Sequence, residues 1–287
     1  MHAIISKSEY VKALRGAVSH FKDYRAVILH TDMMRIGILD RKGTKEEICA
    51  AHLDCLQEVF EGRPLIFPTF NYSFAETRFY DVLNDPCQVG ALSEYVRQRY
   101  PDRRTLTPVF NFVIVNEHDF DTGFHRNPFG HESIYKQAMM TGALVCMLGV
   151  GFSNSTFQHV PEEAAGIPYR YKKAFKGKVK TATETFDVVL EQGVLPLDPE
   201  VRKLIVYRWD HLQSILEKDG ALVSAPLGRG RAVIYDAAGC YERYRWLLDR
   251  NILYALTPES QEAVLWYLDK LGDRMTVENM EPGWRPD

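Results

Sequence analysis

Apolar positions recur with helical and strand periodicity along the first half of the chain. Capping-box patterns open two amphipathic helices, predicted over 6–21 and 44–59, and a third helix is predicted over 90–99. Between and after them stand short apolar runs that are typical of buried strands, at 26–30, 64–70, 110–115 and 142–151. The first half therefore alternates helices with strands.

The pattern changes after residue 170. Period-two alternation predicts a β-hairpin over 175–193, and a second hairpin is predicted over 221–237. Asp198-Pro199 is the preferred order for a helix start, so we expect one helix over 198–220, closed by Gly220. A last helix is predicted over 257–271, followed by a loose tail over about 276–287.

This order of elements predicts an α/β fold. We expect a central mixed, largely parallel sheet flanked by helices, with C-terminal β-hairpins added to it. No Ser/Gly/Pro-rich linker, low-complexity tract or internal repeat divides the chain, so residues 1–287 are interpreted as a single domain.

Composition excludes several classes of function. Lys and Arg total 35 against 38 Asp and Glu, which gives a net charge of −3 and no basic footprint of a nucleic-acid binder. The N-terminus lacks the apolar core of a signal peptide, and no segment approaches the about 20 apolar residues of a membrane span. The five cysteines are odd in number and show no CxxC spacing, which indicates free thiols in a reducing compartment. We expect a cytoplasmic protein without a bound metal.

The stretch "MLGVGFSNSTFQHVPEE" at 147–163 carries the candidate chemistry. Its glycines follow a strand, but Asn154 replaces the third glycine of GxGxxG, which argues against dinucleotide binding. Hydroxyl groups at Ser153, Ser155 and Thr156 precede His159, at the strand end where α/β sheets collect ligands. A histidine in this place suits a general base, although a structural histidine fits the motif equally well.

Six segments in order resemble the aminoglycoside 3-N-acetyltransferase family, which has the antibiotic N-acetyltransferase fold. "LGVGFSNSTFQH", with "PEE" and "IPYR" after it, is similar to the family's LGVG-x3-NT-x2-H-x2-E-x4-VPYR. The other matching segments are "VILHTDMMRIG", "LIFPTFNYSF", "DPCQVGALSEYVRQRYPDRRTLTP", "NPFGHESIY" and "GALVSAPLGRGRAVIYDA". The resemblance implies metal-free transfer of an acetyl group from acetyl-CoA to a primary amine, usually on an amino sugar.

The resemblance also implies roles for individual residues. His159 corresponds to the base, and Thr156 is the candidate for contacting the thioester region. A carboxylate that orients the imidazole is expected, and Glu191 loosely matches the family's partner glutamate. Three further carboxylates stay open as alternatives, namely Asp210, Glu162 and Glu163.

Residues after the first strand and in the "RRTLTP" segment correspond to the family's CoA-binding positions. The segment after the first strand contributes Thr31, Met33 and Arg35, whose amides and guanidinium suit pantetheine and pyrophosphate. Arg104 matches the arginine of the family's RSLHP, whereas Thr107 stands where that motif has histidine. Each arginine is also compatible with a surface salt bridge.

The acceptor positions are expected on the loop after the second strand and among the carboxylates near the site. The candidate set is Phe70, Asn71, Tyr72, Glu163 and Asp210. The near-neutral composition fits a polycationic aminoglycoside poorly, so a nucleotide-linked or biosynthetic amino sugar is the preferred acceptor and an aminoglycoside antibiotic the alternative. We expect a small-molecule amine and CoA as partners and a homodimer as an open alternative, with no nucleic acid or membrane.

Two functions from other classes stay open at this stage. One is a hydrolase that uses the same histidine with water, or Cys146 as nucleophile. The other is a non-catalytic protein that binds CoA or an amine.

Overall fold

The computed structural model describes residues 4–40 and 43–285. Its strands are β1 (Ile4–Ile5), β2 (Ala26–Thr31), β3 (Ile38–Leu39), β4 (Leu65–Pro68), β5 (Phe79–Asp81), β6 (Phe112–Val115), β7 (Ala143–Leu148), β8 (Tyr171–Lys180), β9 (Thr185–Val194), β10 (Leu222–Leu227) and β11 (Gly230–Asp236). Its helices are α1 (Lys7–Val18), α2 (Met33–Ile36), α3 (Lys45–Phe60), α4 (Phe74–Thr77), α5 (Ala91–Arg99), α6 (Ile134–Met140), α7 (His159–Ala165), α8 (Pro199–Arg202), α9 (Trp209–Lys218), α10 (Ala237–Arg250), α11 (Pro258–Leu271) and α12 (Val277–Met280).

Local sequence signals place the first helices as predicted. Ser6 and Glu9 make both hydrogen bonds of a capping box at α1, and Thr44 and Glu47 do the same at α3. These bonds satisfy amide groups that have no partner inside the helix, and so they fix where each helix begins. α5 follows at Ala91–Arg99, within the predicted range.

The central sheet has six strands in the order β10-β11-β7-β2-β4-β6. Its mixed character is confirmed, but the prediction of a largely parallel sheet is wrong. Only the β2–β7 and β2–β4 pairs are parallel, because β6 returns antiparallel to β4 and the β10–β11 hairpin joins β7 antiparallel. The late hairpin therefore extends the central sheet, whereas β8 and β9 pair with β5 in a separate three-stranded sheet.

Side chains alternate between the two faces of the central sheet. Val27, Leu29 and Phe67 pack on one face against α1, α3 and α5, while Ile28 and Ile66 pack on the other against the helices of the C-terminal half. Because both faces are covered, these strands read as continuous apolar runs rather than alternating ones. α6 and α10 on the second face have no counterpart among the predicted elements.

The single helix expected over 198–220 is divided into α8 and α9. Between them the backbone of Tyr207 pairs with Leu256, and the Val206 amide donates to Ser260 Oγ at 3.0 Å. Backbone pairing with Leu256, just before α11, and the hydrogen bond to Ser260 on α11 therefore replace the helical hydrogen bonds at this point. This break turns Tyr207 toward Arg170, whose Nη2 donates to the tyrosine oxygen at 2.9 Å.

The described part of the C-terminal segment is packed rather than loose, which differs from the prediction. Thr276 caps α12, and Glu281 accepts hydrogen bonds from Tyr171 and from Lys173 Nζ, the latter at 2.7 Å. The Trp284 ring covers the same ammonium group, with 3.7 Å between Nζ and the ring centroid. The segment is thereby held against β8.

Candidate active site

The carboxyl ends of three parallel strands meet at one edge of the central sheet. β2 ends at Thr31, β4 at Pro68 and β7 at Leu148, and the chain leaves the sheet after each of them. Ligands of α/β sheets collect at such edges.

A close backbone contact shapes the turn after β7. Gly149 has φ +75°, and a Cβ added there would lie 2.4 Å from the carbonyl oxygen of Asp32. Only glycine fits this approach, which confirms the expectation that a glycine lets the chain turn where the strand leaves the sheet. Two short 3₁₀ turns follow, at Phe152–Asn154 and Thr156–Gln158, and α7 then begins at His159.

His159 and Glu162 form a hydrogen-bonded pair on the first turn of α7. The distance between His159 Nδ1 and Glu162 Oε2 is 2.7 Å. The glutamate side chain is 2% exposed, whereas the histidine keeps 27% of its surface in contact with solvent. Because Nδ1 donates to the carboxylate, the neutral imidazole carries its free lone pair on Nε2.

Three more groups hold the Glu162 carboxylate. The Tyr169 and Tyr244 hydroxyls donate to Oε1 at 3.3 and 3.2 Å, and Arg170 Nε lies 3.6 Å from Oε2. A carboxylate this well bonded is fixed in position, so the imidazole ring attached to it has one preferred orientation.

The surroundings of this pair keep His159 neutral and Glu162 charged. Burial and the positive charge of Arg170 lower the pKa of His159, although the bond to Glu162 acts in the opposite direction. Burial by itself raises the pKa of Glu162, but the charge of Arg170 and the bond from His159 outweigh it, and the net pKa is lowered. At neutral pH the site therefore presents an unprotonated imidazole beside a carboxylate.

A cavity of about 560 Å³ opens in front of His159 and is called the histidine cavity below. α7 contributes His159 and Glu163, β8 contributes Lys172, and Phe129 closes one side. Residues 274–278, Trp284 and Arg285 also line it. The C-terminal segment is therefore part of the site.

Three further cavities share lining residues along the strand ends. The inner cavity, about 370 Å³, is lined by His30, Thr31, Phe70, Tyr72, Ser153 and Thr156. The middle cavity, about 760 Å³, shares Thr31 with it and also contacts Met33. The outer cavity, about 560 Å³, shares Met34 with the middle one. Together they are called the strand-end cavities.

The strand-end cavities fit the acetyl-CoA that the sequence implies. At the inner cavity, His30 Nε2 and Thr31 Oγ1 are buried and have no hydrogen-bond partner among the described residues. Buried polar atoms without a partner are costly, so they indicate a polar group supplied by a ligand. Burial lowers the pKa of His30 to about 4, which keeps this ring neutral.

The outer cavity is basic. Arg35, Arg229 and Arg231 line it, and no described Asp or Glu does. Arg35 is 72% exposed at its side chain and lies 3.3 Å from Asp32 Oδ2. Guanidinium groups of this kind suit the phosphates of CoA. Sequence reasoning singled out Arg35 but missed the other two, although the basic turn "LGRGR" at 227–231 was a usable signal.

Glu191 is not the carboxylate that contacts His159. It lies on β9, where Arg126 Nη2 donates to its Oε1 at 2.6 Å. The choice of Glu191 is therefore corrected to Glu162, one of the alternatives. The signal was the spacing: residues three apart on a helix face the same side, so His159 and Glu162 meet without any tertiary contact.

Arg104 and Thr107 serve the structure instead of a phosphate. Arg104 is 3% exposed, and four of its five N–H donors bond to the carbonyl oxygens of Val82, Asp85 and Thr69 and to the Asn111 side chain, so the guanidinium is buried and held by the protein itself. Thr107 is 4% exposed, and its Oγ1 accepts the His125 amide at 2.9 Å. Neither lines a cavity described above.

The residues predicted to bind the acceptor do not all lie in one site. Phe70 and Tyr72 line the inner strand-end cavity beside Thr156, and Glu163 lines the histidine cavity. Asn71 is 2% exposed and bonded to Pro86 O, so it holds the loop. Asp210 is exposed at the start of α9 and lines none of these cavities. The candidate set is therefore only partly assembled.

The other candidate groups have structural surroundings. Cys146 is fully buried within β7, and burial raises the pKa of its thiol, which makes it a poor nucleophile. Across residues 4–40 and 43–285, no group of three or more His, Cys, Asp or Glu side chains is arranged to hold a metal ion. In the same part of the chain, no helix combines the length and apolar character needed to cross a bilayer.

Known proteins share this architecture. Among solved structures, AAC-IIIb with CoASH aligns with a TM-score of 0.65 at 15% identity, covering 86% of this chain and 98% of that one. AAC-VIa bound to sisomicin aligns with a TM-score of 0.63 at 16% identity, covering 86% of this chain and 99% of that one. YokD from Bacillus subtilis aligns with a TM-score of 0.63 at 14% identity, covering 85% of this chain and 93% of that one. These likenesses confirm the predicted fold.

Sequence comparison supplies the family. No curated protein sequence matches the chain. The family model described as aminoglycoside 3-N-acetyltransferase matches residues 28–248, which is most of the chain and includes His159 and the strand-end cavities. The expected classification as a CoA-dependent acetyltransferase is thereby confirmed. This chain belongs to the aminoglycoside 3-N-acetyltransferase family.

Proposed function

We propose that this protein transfers the acetyl group of acetyl-CoA to a primary amine of an amino sugar, with His159 as general base. The observation that carries the proposal is the 2.7 Å bond between His159 Nδ1 and the buried carboxylate of Glu162. It leaves Nε2 unprotonated on a partly exposed ring beside a cavity. The lowered pKa of His159 supports a base that is ready at neutral pH.

The reaction follows from these groups. The amine nitrogen attacks the thioester carbonyl carbon with its lone pair, while His159 Nε2 takes up one N–H proton. The C–N bond forms and the C–S bond breaks, and the proton on Nε2 then passes to the departing CoA sulfur. Glu162 stabilises the imidazolium during this transfer without becoming protonated itself.

The turn before α7 is the proposed meeting point of the two substrates. Thr156 lines the inner strand-end cavity, and His159, three residues later, lines the histidine cavity. Acetyl-CoA in the first and the amine in the second approach each other across this turn. Thr31 and His30 then provide polar partners near the thioester end.

Acetylation of aminoglycoside antibiotics is the second candidate. The family and the sisomicin-bound neighbour favour it, and it has more support than the nucleotide-linked amino sugar preferred from net charge. The hydrolase hypothesis that used Cys146 has no support from the buried thiol. A non-catalytic amine or CoA binder stays as the outcome that mutation must exclude.

Replacement of His159 by Ala tests the base. We expect kcat to fall about 10²- to 10⁴-fold, the usual contribution of a general base, while CoA binding is retained. CoA thiol release with a panel of amines measures the first, and calorimetry with CoA the second. His131→Ala is the matched control, because His131 is an exposed histidine outside these cavities. Unchanged kcat in the His159 variant would contradict the assignment.

A further inference from the structure

The histidine cavity carries more positive than negative charge. Four cationic side chains line it, namely Arg170, Lys172, Arg274 and Arg285. Three carboxylates line it as well, namely Glu162, Glu163 and Glu278. A site built for a polycation would show the opposite balance.

The two carboxylates nearest the base already have cationic partners. Glu162 is held by Arg170 and by the histidine itself. Glu163 Oε1 lies 2.5 Å from Lys172 Nζ and also accepts Asn127 Nδ2 at 2.8 Å. Both charges are therefore already compensated by cations of the protein, and the exposed Glu278 on α12 is the one carboxylate of the described lining without an ion pair.

Two arginines of the same lining have no carboxylate partner within the described part of the chain. Arg274 Nη2 donates to the Gly166 carbonyl oxygen at 3.0 Å, and Arg285 Nη1 donates to the Trp284 carbonyl oxygen at 3.1 Å. Each uses one donor of its guanidinium, which leaves the remaining N–H groups for a ligand. An unpaired guanidinium beside a reaction site is suited to a phosphate or carboxylate.

Arg274 is placed at a defined distance from the base. Gly166 caps the C-terminal end of α7, the helix that His159 begins. Seven residues separate the two positions, and a rise of 1.5 Å per residue places them about 10 Å apart along the helix. This spacing suits an amine at one end of a hexose and a charged substituent at the other.

We infer that the acceptor is an amino sugar that carries an anionic group, a phosphate ester or a carboxylate, bound by Arg274 at the far end of the histidine cavity. The inference rests on the proposed function, because it takes His159 as the position of the reacting amine. It opposes the second candidate function, which the family and the sisomicin-bound neighbour favour, because Arg274 and Arg285 repel the ammonium groups of a polycationic aminoglycoside.

Steady-state kinetics of CoA release with four acceptors tests this inference. The acceptors are glucosamine 6-phosphate, glucosaminuronic acid, glucosamine and kanamycin. We expect the anionic acceptors to exceed glucosamine in kcat/KM by about 10- to 100-fold, as for a charge-assisted contact, and kanamycin to be the weakest. The first two acceptors distinguish phosphate from carboxylate.

Arg274→Glu identifies the responsible residue. The ratio of kcat/KM for glucosamine 6-phosphate to that for glucosamine should fall by about 10- to 100-fold, because a repulsive charge replaces an attractive one. Arg202→Glu is the matched control: Arg202 is exposed on α8, outside these cavities, and its reversal should leave the ratio unchanged. Calorimetric titration of both variants with glucosamine 6-phosphate reports binding without turnover.

The outcomes separate this inference from the proposed function. Equal or faster turnover of glucosamine or kanamycin, or an anion preference that survives Arg274→Glu, overturns the anionic acceptor and leaves acetyl transfer standing. Binding of glucosamine 6-phosphate that is lost in Arg274→Glu, without CoA release from any amine, supports the anion site and overturns acetyl transfer. Absence of both binding and turnover overturns both.

Discussion

His159 and Glu162 are bonded to each other within one turn of α7. They lie three residues apart on the same helix, and this spacing brings their side chains together, so the contact can be predicted from the sequence. Other roles could not be predicted in this way. Arg104 and Glu191 are used by partners distant in sequence, Thr69 and Arg126 respectively, and no local pattern shows that a charged side chain is already occupied.

The acid limb of the pH profile follows from the lowered pKa of His159. Only the neutral imidazole accepts a proton, so kcat falls as the pH drops through the pKa of the base in the complex. In the protein itself, burial and Arg170 lower the pKa of His159 from the ordinary 6.5, and we expect the same direction in the complex. We expect the midpoint of the acid limb below pH 6.5, measured as kcat at saturating amine and acetyl-CoA.

Glu162→Gln tests how the carboxylate changes the pKa of His159. Loss of the carboxylate removes the interaction that raises the pKa of His159, so the acid limb should move to still lower pH while the plateau of kcat falls by about 10-fold or more. A midpoint at or above 6.5 in the wild-type protein would contradict the electrostatic argument.

At the scale of elements, local sequence signals predict where a helix or strand begins better than whether it continues without a break. The capping boxes of α1 and α3 and the strands β2, β4 and β7 follow from local pattern alone. The break between α8 and α9 does not, because it depends on a bridge from Tyr207 to Leu256, 49 positions along the chain. The antiparallel return of β6 likewise depends on pairing with β4, which the apolar pattern of a buried strand does not encode.

Gly149→Ala tests the backbone contact that brings the turn after β7 close to α2. The positive φ costs about 1 kcal/mol and the contact with the Asp32 carbonyl adds overpacking, so we expect the free energy of unfolding to fall by about 3 kcal/mol. Gly62→Ala is the matched control, since Gly62 has φ +77° but open space around its Cβ. We expect the free energy of unfolding of Gly62→Ala to fall by about 1 kcal/mol, measured by urea denaturation. Equal losses in the two variants would contradict the role of the Asp32 contact.

At the scale of the whole molecule, buried neutral histidines make stability depend on pH. His52 is 1% exposed, its Nε2 lies 3.2 Å from the Gly37 carbonyl oxygen, and burial lowers its pKa to about 4. His30 at the inner cavity has a similarly lowered pKa. Unfolding restores ordinary imidazoles, so below pH 6.5 the unfolded chain binds more protons than the folded protein.

We therefore expect the free energy of unfolding to decrease as the pH falls from about 6.5 to about 4. For His52 the difference between 6.5 and about 4 corresponds to about 3 kcal/mol at the acid end. By urea denaturation, the free energy of unfolding of His52→Gln should fall less between pH 7 and pH 4.5 than that of the wild type. The exposed His131→Gln should keep the full loss, and an equal loss in all three proteins would exclude His52 as the source.

The catalytic pair has one further property because both members belong to one turn of α7. When that turn shifts as a rigid body, the hydrogen bond from Nδ1 to the carboxylate moves with it, so the tautomer that leaves Nε2 free is kept. The reach of Nε2 toward a substrate can therefore change without loss of this tautomer. Changes in the walls around α7 can adapt the site to acceptors of different size, and the machinery that removes the proton does not have to be rebuilt each time.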